Sequence, residues 1–135
     1  MGFRQVLTED FPGFAIADLR EVHEDRTRAH AETLALLDRH PDLAGIYNAG
    51  GATTGIVRAL KERGRDQDVV VIAHEATAAN KSRLLDGSLD AVIDQNPRVE
   101  VREALATLTH AVRGVPRTLV PPRLQIIFRE NLPLD

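Results

Sequence analysis

Residues 69–97 read VVVIAHEATAANKSRLLDGSLDAVIDQNP and are the part of the chain most informative about its fold. Two runs, residues 69–74 and 89–94, are apolar at consecutive positions and not only at alternate ones, which is typical of strands buried on both faces. Thr77 is suited to cap a helix between them, and Gly87 is suited to end that helix. The order strand, helix, strand predicts two parallel strands joined by a crossover helix.

The alternation continues on both sides of this stretch. Further strands are predicted at residues 14–22, 43–48 and 124–129, and further helices near residues 2–9, 26–40, 51–63 and 97–113, the second capped by Asp25 and the last by Asn96 with Pro97 in its first turn. Residues 115–122 form a proline-punctuated linker. Five strands alternating with helices predict an α/β fold, a three-layer α/β/α sandwich around a mainly parallel sheet.

The composition excludes several classes of protein. The chain of 135 residues fits one domain, and its 43% hydrophobic and 27% charged residues are those of a globular protein. A net charge of −3, with both signs interspersed, excludes a basic nucleic-acid-binding arm. The lack of cysteine excludes disulfides and thiolate metal sites. No apolar run resembles a signal peptide or a membrane span, so we expect a cytoplasmic protein with no membrane partner.

Polar side chains stand where the predicted strands end, which is where open parallel sheets bind ligands. Asn48, Glu75 and Gln95 end three strands, and Arg20 lies near the end of the first. Such hydrogen-bonding side chains suit a polyhydroxylated ligand. Alternative roles remain open: capping of the next helix for Asn48, an interaction with a helix dipole for Glu75, and a turn for Gln95.

Catalytic and cofactor motifs are not found. The stretch GGATTG, residues 50–55, matches neither the dinucleotide-binding fingerprint nor a P-loop, and the five histidines show no metal-ligand spacing. The sequence contains no G-x-S-x-G elbow. We therefore expect no cofactor and no metal. An enzyme is the weaker hypothesis, since it would require a pair such as Glu75 and Asp94 to come close together.

Residues 69–97 resemble the corresponding segment of sugar-binding proteins and of regulators of the lactose-repressor (LacI/GalR) family. In that pattern a strand ends near an acidic ligand contact, a helix ends in Asp-Gly and the next strand ends in Gln-x-Pro; here these are Glu75, Asp86-Gly87 and Gln95-Asn96-Pro97. Residues 40–64, HPDLAGIYNAGGATTGIVRALKERG, are similar to the family's preceding strand, turn and helix. Residues 129–133 resemble its closing segment.

The resemblance implies one lobe, the C-terminal one, of a type I periplasmic-binding-protein-like sensing domain. Glu75 and Gln95 would bind ligand hydroxyls, Asn48 and the Gly50-Gly51 turn would line the same cleft, and Arg20 is a looser correspondence. The parent would be a transcription regulator whose sugar-like effector alters its affinity for DNA, with DNA contacted only through an N-terminal domain outside this chain. The alternative is the solute-binding component of a sugar ABC transporter.

The helix predicted at residues 97–113 crosses to the other lobe in that family. It carries an apolar stripe, formed by Val101, Ala104, Leu105, Leu108 and Val112. Without a second lobe this stripe would be an exposed apolar patch, which monomers rarely tolerate. We therefore expect self-association, such as a homodimer, either by pairing of these helices or by their exchange across residues 115–122. The alternative is that the helix folds back onto its own lobe.

Overall fold

The computed structural model describes residues 2–118, 121 and 123–133. Nine helices and strands follow one another among these residues: α1 (Gly2–Asp10), α2 (Arg26–Arg39), β1 (Gly45–Tyr47), α3 (Thr53–Glu62), β2 (Val70–His74), α4 (Ala78–Asp86), β3 (Ala91–Asp94), α5 (Pro97–Val112) and β4 (Gln125–Ile127). A 3-10 turn, Arg129–Asn131, follows β4. Part of the predicted linker at 115–122 lies outside the described residues.

The four strands form one sheet in the order β1-β2-β3-β4. The first three strands are parallel, and β4 is antiparallel to β3, with Ile93 opposite Ile126. Parallel neighbours require crossover helices, and α3 and α4 supply them. The predicted α/β class with a mainly parallel sheet is confirmed.

Local signals in the sequence set most helix ends. Asp25 caps α2 by accepting hydrogen bonds from the backbone N–H groups of Thr27 and Arg28, at 2.7 and 2.9 Å. Thr77 caps α4 in the same way. Gly87 ends α4 with a φ of 79°, a left-handed conformation that glycine adopts at little cost. These predicted boundaries are confirmed.

The core lies on one face of the sheet. It contains buried apolar side chains from α2, α3, α4, β2, β3 and β4. These include Ala29, Leu37, Ile56, Leu60, Val71, Ala73, Leu84, Val92 and Ile127. Helices α2 and α3 pack against each other as part of this layer. The other face of the sheet is contacted by α1, whose Phe3 and Val6 lie beside Ile72 and Ile93.

The predicted strand at residues 14–22 is wrong. These residues pair with no strand, and Phe14, Ile16 and Leu19 are exposed. The carboxylate of Asp18 accepts a hydrogen bond from the backbone N–H of Leu19, at 2.8 Å. Side-chain bonds of this kind compete with a strand ladder, and alternating apolar residues cannot form a strand without a partner.

The prediction that the run at 69–72 is buried on both faces is also wrong. Val71 is fully buried, whereas Val70 is 49% exposed. Burial alternates along β2 because three helices cover one face of the sheet and only α1 covers the other. Within residues 2–118, 121 and 123–133, no helix combines the length and the apolar character needed to span a bilayer.

Candidate functional site

The carboxyl ends of β1, β2 and β3 meet at one edge of the sheet because the three strands are parallel. Backbone hydrogen bonds continue the ladder past the strand ends: Asn48 N–H donates to the carbonyl of Ile72 at 2.8 Å, and Glu75 N–H donates to that of Ile93 at 3.0 Å. Gln95 directly follows β3. The prediction that Asn48, Glu75 and Gln95 lie at the same edge is confirmed.

Asn48 is buried and organises the first of these loops. Its Nδ2 group lies 2.9 Å from the carbonyl oxygens of both Gly50 and Gly51, and 3.1 Å from Oγ1 of Thr53, the first residue of α3. These bonds use the amide donors inside the protein. The alternative role, capping of the next helix, is wrong, because the N-cap residue of α3 is Ala52 and no side chain accepts a capping hydrogen bond there. A direct contact between Asn48 and a ligand stays a prediction, whereas Gly50 is exposed on the same loop.

Glu75 begins the second loop in a left-handed conformation, with a φ of 68°. This conformation is uncommon for a residue with a Cβ atom. Buried Asn80 stabilises it from below: its Nδ2 group donates to the carbonyl oxygens of His74 and Glu75, both at 3.0 Å. The Glu75 side chain is exposed and therefore accessible to a ligand.

Asn80 is in turn fixed by Arg83. The Arg83 guanidinium donates to Oδ1 of Asn80 and to Oγ1 of Thr54, each at 2.8 Å, and so links α4 to the start of α3. Partial burial lowers the pKa of Arg83, the neighbouring Asp86 raises it, and the positive charge of Arg26 lowers it further. The loop at Glu75 is thus supported by hydrogen bonds from Asn80, which is itself bound by the Arg83 guanidinium.

Gln95 follows the third strand and is exposed. It lines one end of a groove of about 520 Å³ between α5 and the segment that leads to β4; Glu100, Arg123 and Gln125 also line this groove. Beside it, the carboxylate of Asp94 accepts a hydrogen bond of 3.1 Å from the backbone N–H of Ala76. Asp94 therefore ties the second loop to the third.

Two aromatic residues, Tyr47 and Phe3, also lie at this edge, although the sequence did not indicate them as ligand contacts. Tyr47 Oη lies 2.8 Å from Nε2 of His74, and the ring of Phe3 in α1 stacks on Tyr47 with centroids 4.5 Å apart. Alternation along paired strands could have revealed this, since Tyr47 pairs with Ile72 and His74 lies two residues further on the same side. Glu24 is also at this edge, with its side chain against the Gly50-Gly51 turn.

Arg20 binds acidic side chains away from these loops. Its guanidinium binds Asp18 at 2.6 Å and Glu32, in the middle of α2, at 3.3 Å. The strand that was expected to end at Arg20 does not form, so the extended segment instead lies along α2. Among the described residues, no group of His, Cys, Asp or Glu side chains is arranged to hold a metal ion.

The sequence matches a family model described as the periplasmic binding protein domain over residues 1–115. The chain belongs to this family. The periplasmic binding protein domain is an α/β fold, and the edge described above is the carboxyl edge of one such lobe. None of the curated proteins is similar to the chain in sequence at a significant level.

Solved sugar-binding and solute-binding proteins share the fold. A glucose-galactose binding protein, GanP, from Geobacillus stearothermophilus superposes with a TM-score of 0.89 at 21% identity, covering 98% of this chain and 48% of its own. A sugar-binding protein of a sugar ABC transporter from Bacillus halodurans gives 0.83 at 22%, covering 96% and 49%. A solute-binding protein from Agrobacterium vitis with bound D-fucose gives 0.87 at 20%, covering 96% and 45%. The chain spans about half the length of these proteins.

Proposed function

We propose that this chain contributes one wall of a sugar-binding cleft and that its parent is the solute-binding component of a sugar ABC transporter. The observation that carries the proposal is the meeting of three polar loops, ending at Asn48, Glu75 and Gln95, at one sheet edge of a periplasmic binding protein lobe. The three similar proteins above, and a further solute-binding protein from Agrobacterium vitis, are sugar-binding proteins or hold a bound sugar, and three of these four belong to ABC transporters. This supports the alternative from the sequence over the transcription regulator.

The chemistry of the edge suits a polyhydroxylated ligand. The exposed Glu75 carboxylate accepts hydrogen bonds from ligand hydroxyls, and Gln95 both donates and accepts, so the pair orients a sugar without bonding it covalently. Asn48 and Asn80 act as positioning residues, because their amides hold the loops that present the carbonyls and the Glu75 side chain. We propose binding without turnover, and the site requires no cofactor for this role.

A lactose-repressor-type regulator is retained as the second candidate because the residues quoted above resemble that family. It requires DNA contacts through a domain outside this chain and a cytoplasmic location. The transporter component requires export. The gene upstream of residue 1 distinguishes them, since a helix-turn-helix segment supports the regulator and a signal peptide supports the transporter component.

The sugar proposal is tested by titrating the isotopically labelled chain with D-galactose, D-fucose, D-allose and D-tagatose and following backbone amide resonances. We expect saturable shifts at residues 47–51, 74–76 and 94–96 with dissociation constants in the millimolar range or weaker, because contacts from a second wall are missing. Glu75→Gln should weaken binding roughly tenfold, through loss of a charged hydrogen bond. The matched control is Glu130→Gln, at the opposite edge beyond β4, which should leave binding unchanged.

Two results would contradict the proposal. One is the absence of saturable shifts at these loops with every sugar. The other is an equal response in wild type and Glu75→Gln, which would place any binding elsewhere.

A further inference from the structure

Each of the three loops at the carboxyl edge contains a residue other than glycine in the left-handed conformation. Ala52 in the first loop has a φ of 63°, Glu75 in the second has a φ of 68°, and Asn96 in the third has a φ of 50°. Asparagine tolerates this conformation, whereas alanine and glutamate rarely adopt it. Such a conformation persists only where the surrounding structure holds it. The contacts that hold Ala52 and Glu75 therefore decide the shape of the first two loops.

The first turn of α3, which follows Ala52, is held from two sides. Ala52 is the N-cap residue, and its methyl group cannot accept a hydrogen bond from the helix. On one side, the Oγ1 atom of Thr53 accepts a hydrogen bond of 3.1 Å from Nδ2 of Asn48. On the other side, the Oγ1 atom of Thr54 accepts one of 2.8 Å from the guanidinium of Arg83. Two neighbouring hydroxyl groups thus anchor a turn that lacks a side-chain cap.

Arg83 reaches both loops through different nitrogen atoms. Its Nη2 atom donates to Thr54 and its Nη1 atom donates to Oδ1 of Asn80, each at 2.8 Å. Asn80 in turn donates to the carbonyl oxygen of Glu75 at 3.0 Å. A planar guanidinium fixes the directions of its donors relative to each other, whereas the amine of a lysine does not. One side chain of α4 therefore contacts the first turn of α3 directly and the second loop through Asn80.

A second ionic contact joins the same two helices at their other ends. The Nζ atom of Lys61, in the last turn of α3, lies 2.9 Å from Oδ2 of Asp86, the last residue of α4. This contact lies at the helix ends that point away from the loops. It allows a role of Arg83 in the shape of the loops to be distinguished from a role in holding α3 and α4 together.

We infer that Arg83 is a positioning residue that couples the first loop to the second, so that a change at one loop alters the other. Gly50 and Glu75, which are exposed on these loops, are thereby kept at a fixed separation. The consequence for ligand binding rests on the proposed function: a sugar that contacts both loops binds more tightly when they are already in position, because less freedom is lost on binding.

Amide hydrogen exchange in the sugar-free chain tests the coupling directly. Thr54→Val keeps the shape of the side chain but removes the acceptor for Arg83, and exchange at Glu75 and Ala76, in the other loop, should become roughly threefold faster. Arg83→Gln should accelerate exchange roughly tenfold at these two amides and at Gly55, in the first turn of α3. Adding Thr54→Val to Arg83→Gln should have no further effect at Glu75 and Ala76, because the connection is already broken.

Lys61→Gln is the matched control, since it removes the contact between the same helices far from the loops. Exchange at Glu75 and Ala76, measured relative to the amides of β2, should stay as in wild type. Three results would overturn the coupling: an effect of Thr54→Val that is confined to α3, additive effects of Thr54→Val and Arg83→Gln, or an equal response of the second loop in Lys61→Gln.

A sugar titration separates this inference from the proposed function. Where the wild-type chain binds a sugar, Thr54→Val should weaken binding roughly threefold while the same amide resonances shift. Equal affinity of wild type and Thr54→Val would overturn the positioning role of Arg83 and leave the sugar site in place. A wild-type chain without saturable shifts would contradict the proposed function, and the exchange experiment then decides the coupling by itself.

Discussion

Asn80 donates a hydrogen bond of 3.0 Å to the carbonyl oxygen of Glu75, and with this bond a buried helix residue determines the backbone of an exposed loop residue. The same amide group reaches the carbonyl of His74. Glu75 is held in a left-handed conformation that it would rarely adopt alone. The loop that presents Glu75 is therefore shaped by α4 and not by its own sequence.

Replacing Asn80 by Asp should destabilise the chain and loosen this loop. The carboxylate has nearly the same shape but cannot donate, so the carbonyl oxygens of His74 and Glu75 lose their partner and meet a negative charge instead. We expect the free energy of unfolding in urea to fall by about 1–3 kcal/mol. Hydrogen exchange at Glu75 and Ala76 should become faster. Unchanged exchange at both amides would show that the Asn80 bonds do not hold the loop.

Replacing Glu75 by Gly should separate stability from binding. Glycine relieves the left-handed strain but adds freedom to the unfolded chain, so we expect a net gain of about 0.5 kcal/mol in urea unfolding. Sugar-induced shifts should be lost. The matched control is Gly87→Ala, at φ 79° and with the Gln67 amide oxygen 3.0 Å from the added Cβ, which should be destabilising. A stability loss in Glu75→Gly would contradict the strain argument.

Replacing Gly55 by Ala should be strongly destabilising although alanine favours helices. A Cβ atom at this position would lie 2.2 Å from the carbonyl oxygen of Arg26 and 2.8 Å from the backbone nitrogen of His30, both in α2. The two helices must separate to accommodate it, at a cost of about 3 kcal/mol. Gly13→Ala, where nothing lies within 4 Å, is the control for urea unfolding. Equal unfolding midpoints in the two variants would exclude the close helix contact.

Asp86 should make stability depend on pH in the acid range. The hydroxyl of Ser88, and then Lys61 at 2.9 Å and the Ser88 backbone N–H, lower the pKa of Asp86 to about 2. Because the folded pKa lies below the ordinary value of 3.8, the stabilisation is complete above about pH 4 and is lost as the pH falls from 4 through 2. With solvent screening, we expect about 1 kcal/mol.

The comparison of wild type with Asp86→Asn by urea unfolding at pH 6 and pH 2.5 checks this expectation. The variant should be less stable at pH 6, and the difference should shrink at pH 2.5. Ser88→Ala should also be less stable than wild type at pH 6, and this loss should shrink at pH 2.5, since the variant removes the hydrogen bond that lowers the pKa of Asp86 most. A gap between wild type and Asp86→Asn that is equal at both pH values would refute the assignment.

The local signals at Asp25, Thr77 and Gly87 predicted helix ends correctly, because caps act through hydrogen bonds and φ angles within a few residues. The polar strand ends at Asn48, Glu75 and Gln95 were also predictable, since parallel pairing brings them to one edge. The failures were non-local. The segment at 14–22 has an apolar pattern suited to a strand but pairs with none.

The sequence by itself determined the α/β class, the helix caps and the edge at which the polar loops meet, because hydrophobic periodicity and capping are properties of neighbouring residues. Only the tertiary structure decided that Asn48 binds its own turn, that Arg20 binds Glu32, and that Leu105 and Leu108 of α5 are exposed. Each of these depends on which distant segment comes within about 4 Å, and a pattern along the chain carries no information about that distance.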